Sequence, residues 1–109
     1  MPDRVDSVAL TAMIDRCFDY SMDGRLTQAE RMQFLVSAKR LRGSLLNLLS
    51  ARFDEGTPAL AAANAELGRV NARLQSEAAV LDDAARTLAD LTTIVGSLDR
   101  LLGVAAGFL

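Results

Sequence analysis

Side chains able to do chemistry are few in this 109-residue sequence, and they gather in one place. There is no histidine, and Cys17 is the only cysteine. No glycine-rich phosphate loop or serine nucleophile motif is present, so general-base, zinc and nucleotide mechanisms lack their usual groups. Carboxylate pairs such as Asp82-Asp83 fall on the polar side of a helical pattern, where water solvates them. The sequence therefore predicts a protein that is not an enzyme. A lone cysteine forms no intrachain disulfide, and Cys17 reads as a core residue. The one concentration of oxygen-bearing side chains is Asp19-Tyr-Ser21-Met-Asp23-Gly24-Arg25-Leu26-Thr27-Gln-Ala-Glu30.

Over these twelve residues the chain resembles the loop of the EF-hand calcium-binding family, and with its flanking helices over about thirty. The resemblance implies Ca2+ held by Asp19, Ser21 and Asp23, by the carbonyl of Arg25, by Thr27 directly or through water, and by both carboxylate oxygens of Glu30. Gly24 then takes the sharp turn, and Leu26 the apolar place that packs on a paired loop. The segment departs from the family pattern in having only three carboxylates, Arg31 after Glu30, Asp15 in the entering helix, and no second loop. The same residues also spell a helix-turn-helix: Asp23-Gly24 makes the turn, and Thr27-x-x-Glu30 is a capping box. Capping leaves Asp19 and Ser21 unexplained. The resemblance thus implies a calcium-responsive module in which the loop changes the angle between two helices.

The elements around this segment are all helical. Half of the residues are apolar and only four Phe and one Tyr are aromatic, so Ala and Leu would fill the core, a composition that favours helix over sheet. Asp3 is placed to cap a first helix over about residues 3–19, with a loop at 19–27. A second helix over about 27–54 repeats Phe34, Ala38, Leu41, Leu45 and Leu48, with Leu35, Leu46, Leu49 and Phe53 widening the stripe. Gly56 suits a left-handed helix end, Thr57 a cap and Pro58 a first turn. That link predicts that the second and third helices are antiparallel neighbours.

From Pro58 the pattern reads as one long third helix over about 58–103. Leu60, Leu67, Leu74, Leu81, Leu88, Val95 and Leu102 recur at every seventh residue. With these as a positions, the d positions are Ala63, Val70, Glu77, Ala84, Leu91, Leu98 and Ala105, apolar except for Glu77. The g column changes from Glu66 and Arg73 to Val80, Thr87, Ile94, Leu101 and Phe108, so the stripe broadens. The expected fold is all-α: a single domain, 1–109, built as a hairpin or bundle of three helices with a long heptad-patterned C-terminal helix.

At 1.5 Å per residue the second helix spans roughly 40 Å and an unbroken third helix roughly 68 Å. The overhang begins near Ala84 and exposes Leu88, Leu91, Ile94, Val95, Leu98, Leu101 and Leu102. A face of that size needs a cover: the first helix, a break near Ser76 or Gly96, or another chain. The last is favoured, and it predicts a non-enzymatic interaction module that self-associates or binds a helical protein through those seven residues.

Charge and hydropathy narrow the partners further. The net charge of -2 comes from interspersed acids and bases, and the cluster Lys39, Arg40 and Arg42 is too small to nominate nucleic acid. Leu91–Leu109 is apolar, but Asp99 and Arg100 leave an uninterrupted run too short to span a bilayer. Peripheral anchoring through Leu101–Leu109 is the third functional expectation, and a cytoplasmic location is the default without a cleavable signal pattern.

Overall fold

The computed structural model describes residues 4–54 and 56–106, which form five α-helices and no strand: α1 Ser7–Ser21, α2 Gln28–Leu48, α3 Pro58–Gln75, α4 Glu77–Asp82 and α5 Ala84–Ala106. The all-α class is as the sequence predicts. Three boundaries differ from the expected ones.

The first helix starts later than expected. Asp6 supplies the cap, its carboxylate accepting from the Ala9 N–H at 3.1 Å, while Asp3 lies outside the described residues. Asp6 is also fixed from α3, its own N–H donating to Asn64 Oδ1 at 2.7 Å. The second helix opens on the expected capping box. Thr27 Oγ1 accepts from the Glu30 N–H at 3.1 Å, and Glu30 Oε1 accepts from the Thr27 N–H at 2.9 Å. It closes at Leu48 rather than near Asp54, because the chain must turn there to bury Phe53. Gly56 has the left-handed φ of 82° that the sequence predicts, and Pro58 opens α3. The Thr57 hydroxyl makes no cap; it donates to the Asp54 carbonyl at 2.6 Å.

The expected long third helix is three helices. Ser76, at φ -94° and ψ 100°, ends α3 and caps α4, its Oγ accepting from the Ala79 N–H at 3.3 Å. Asp83, at φ -147° and ψ 75°, ends α4, and its Oδ1 accepts from the Arg86 N–H at 3.1 Å at the start of α5. These two breaks reverse the chain. α5 returns antiparallel along α3, as the pairs Arg69–Asp90 and Glu66–Ser97 record. Arg73 pins the corner: its guanidinium donates to the fully buried Thr87 hydroxyl at 2.8 Å and to the Ala79 and Asp83 carbonyls at 3.3 Å.

The result is a bundle 44 Å long in which α1 packs on α2 and α3, and α5 packs on the same two. α2 and α3 are therefore diagonal to each other, which corrects the expectation of antiparallel neighbours. The described residues that link α2 to α3, 49–54 and 56–57, make the passage to that diagonal, with Phe53 buried on the way. α1 and α3 run parallel, tied near their starts by Asp6–Asn64 and near their ends by the Tyr20 hydroxyl, which donates to the Leu74 carbonyl at 2.6 Å. Leu10, Met13, Phe34, Leu41, Leu67, Leu74, Leu91 and Ile94 make the centre of one continuous core.

Candidate functional site

The loop between α1 and α2 is held as a turn by the residues proposed for metal. Asp19 and Ser21 lie within the last turn of α1. Asp19 pairs with Arg16 at 3.9 Å, and the Ser21 hydroxyl donates to the Phe18 carbonyl at 2.6 Å. Asp23 receives the Arg25 backbone N–H at 2.9 Å and its guanidinium at 3.0 and 2.7 Å. These bonds, the guanidinium's first, hold the Asp23 carboxyl down at about 2, below its ordinary 3.8. Thr27 and Glu30 are engaged with each other in the capping box. Leu26 is buried, as the resemblance implies for that place, but it packs in the chain's own core. Among the described residues no group of three or more His, Cys, Asp or Glu is placed to hold a metal ion.

A polar corner that the sequence reading missed ties this loop to the break between α3 and α4. Arg16 donates to the Leu74 carbonyl at 3.3 Å and to the Tyr20 hydroxyl at 3.2 Å, and its guanidinium lies 5.1 Å from the Tyr20 ring centre. Burial pushes the Tyr20 phenol up, and Arg16 opposes the shift. Glu77, the polar intruder in the heptad pattern, lies on the surface and faces Arg16 at 3.8 Å and Arg25 at 3.5 Å. The loop is thus anchored from both sides. Cys17 is fully buried, and desolvation raises its thiol to about 12, which removes the thiolate as a nucleophile at neutral pH.

The seven residues expected to meet a partner are brought together, but inside the molecule. Leu88, Leu91, Ile94, Leu98 and Leu101 are buried, and Val95 and Leu102 are half-buried against the same core. This corrects the expected docking face. Because α5 folds back along α3 and beside α2, the broadened stripe is covered by the chain itself, and no overhang remains. Leu101, the first residue of the expected membrane anchor, is held in the core as well, while residues 107–109 of that segment lie outside the described residues. No described helix is long and apolar enough to cross a membrane.

Unpartnered apolar surface lies instead on the hairpin of α1 and α2. On α2, Met32, Val36 and Leu46 are 60, 49 and 68% exposed, and Leu49, the residue that closes the helix, is 54% exposed. Met32, Val36 and Leu46 occupy the side turned away from the buried row Phe34, Ala38, Leu41 and Leu48, whereas Leu49 lies just past the helix end beside that row. Leu46 and Leu49 are thus both exposed, although the sequence pattern assigns them to the stripe. Lys39, Arg40 and Arg42 stand exposed among them, and none enters an ion pair among the described residues. A shallow furrow runs between α2 and α5, floored by Val36, Ser37, Leu88 and Val95 and edged by Arg40 and Asp99. On α1, Val8 and the closing residue Met22 are 80 and 76% exposed. The signal for this surface was present in the sequence as apolar residues off the core period, at Met32, Val36 and Leu46.

No known protein family, curated protein or solved structure matches the chain.

Proposed function

We propose that this chain is a non-enzymatic helical interaction module that docks helices on the outward face of its α1–α2 hairpin. The observation that carries this reading is the row Met32, Val36 and Leu46, exposed on one helix and facing away from the core. A helix on the surface of a closed bundle ordinarily turns a polar face to water. Scattered single apolar residues need no explanation, but three large ones along one face form a patch of the kind that marks contact with another macromolecule. The Lys39 stem extends that apolar surface while its ammonium stays in water.

The test is photo-crosslinking in cells with a photoreactive residue placed at position 36 or 46, and at the exposed Ala62 of α3 as the comparison. Discrete protein adducts at 36 and 46 but not at 62 are expected. Absence of adducts at 36 and 46, or equal adducts at 62, removes the reading. A calcium response would compete with the contacts that Asp23 and Glu30 already make. Titration calorimetry of wild type and Glu30→Ala with calcium separates it, because a calcium site predicts heat that the variant loses.

A further inference from the structure

We propose that the helix docked on α2 is α1 of a second copy of this chain, in a dimer whose two-fold axis runs parallel to the bundle. This deepens the interaction reading above and rests on it. The outer side of α1 carries Val8, Asp15 and Met22, each seven residues from the next, and the outer side of α2 carries Met32, Lys39 and Leu46 at the same interval. Seven residues are close to two helical turns, so each trio lies along one side of its helix. One helix thus presents apolar, acid, apolar, and the other apolar, base, apolar.

The heights of these residues agree as well as their order. Tyr20 and Phe34 pack with ring centres 5.3 Å apart and planes tilted by 41°, and they mark the register of the antiparallel pair α1 and α2. Counting five residues from that contact, back along α1 and forward along α2, gives Asp15 and Lys39; counting twelve gives Val8 and Leu46. Two residues the other way give Met22 and Met32. Asp15 and Lys39 therefore share a level but do not pair within the chain. Both are exposed and point outward.

Rotation about an axis parallel to the helices preserves every height and exchanges α1 with α2 across the interface. Each α1 then lies antiparallel to the second copy's α2, with Val8 against Leu46, Asp15 against Lys39 and Met22 against Met32. Symmetry makes each pairing twice. Like helices are not set opposite each other, which avoids Lys39 and Arg42 facing their own copies and Asp15 facing its own. The charge pattern thus selects the crossed arrangement, and the apolar ends supply the contact area.

The experiment is light scattering or sedimentation equilibrium on the full chain from ten to several hundred micromolar, with circular dichroism to confirm that each variant folds. A mass of twice 11.7 kDa is expected. Asp15→Lys and Lys39→Asp, both exposed changes, are each expected to weaken the dimer about tenfold or more, and the double variant to restore it. A monomer mass at the highest concentration overturns the proposal, as does a dimer indifferent to both single reversals, or a double variant no better than either. Monomers that float with phosphatidylserine vesicles through the basic face of α2 likewise overturn it. A monomer that still gives adducts at position 36 with a different protein overturns the dimer and leaves the interaction reading standing.

Discussion

Asp23 illustrates how a short polar segment can be legible in composition and still ambiguous in role. The oxygens of Asp23, Thr27 and Glu30 are placed by the turn itself, and each finds a donor within a few residues. Spacing alone cannot tell a carboxylate that awaits a cation from one that already accepts its neighbour's N–H groups. In the structure Asp23 accepts from Arg25, with a guanidinium and a backbone N–H on the same carboxylate. Because the folded pKa, about 2, lies below the ordinary 3.8, this contact contributes stability above the unfolded value and loses it as pH falls through the folded one. Thermal midpoints of wild type and Asp23→Asn are therefore expected to differ at pH 7, with the variant slightly lower, and to converge as pH approaches 2. Midpoints that stay equally separated across that range would assign the effect of the substitution to something other than the charge. The gap should also narrow in high salt, since the Arg25 side of the pair is exposed.

At the scale of elements, the heptad pattern placed the apolar faces correctly and the helix ends poorly. Leu60, Leu67, Leu74 and Leu88 are all buried, yet they belong to two antiparallel helices with a six-residue helix between them. A seven-residue interval records which side of a helix is apolar. It is blind to a reversal that leaves both halves facing the same core. The reversal was written more locally, in Ser76 and Asp83 as caps and in Glu77 as a residue with no place in a seam. The early end of α2 had no such signal, because the need to bury Phe53 on the way to α3 is set by tertiary packing. What holds the corner is Arg73 against Thr87, a pair fourteen residues apart that pattern reading does not connect. Thr87→Val keeps the shape and removes the acceptor, leaving the guanidinium facing a methyl group. Urea unfolding is expected to show a loss of about 1–3 kcal/mol with little change in slope. Thr93→Val, at an exposed site whose hydroxyl donates only to the Ala89 carbonyl, should stay within about 0.5 kcal/mol. Equal losses at the two sites would mean that the corner does not depend on this bond.

For the whole molecule, the central question is which apolar surface belongs to the fold and which is left for others. A straight third helix would have left Leu91, Ile94 and Leu98 without cover, and their exposure was the reason to expect a partner there. Once the chain turns at Ser76 and Asp83, these residues become the inner wall of the bundle, fully or nearly fully buried. Leu46 makes the opposite exchange, from a stripe residue in the sequence to one 68% exposed. Two leucines in one chain are thus assigned opposite roles, and stability separates them. Leu91→Ala removes methyl groups from a site without solvent and leaves a cavity, so a loss of about 2–5 kcal/mol is expected in chemical unfolding of the monomer. Leu46→Ala removes a side chain already in water and should change monomer stability by no more than about 0.5 kcal/mol. Association should respond in the reverse order. The Leu46 substitution is expected to weaken the dimer at concentrations where the Leu91 variant, if still folded by circular dichroism, forms it normally. A Leu91 variant as stable as wild type would place α5 outside the core, and the surface left for a partner would then return to the C-terminal helix.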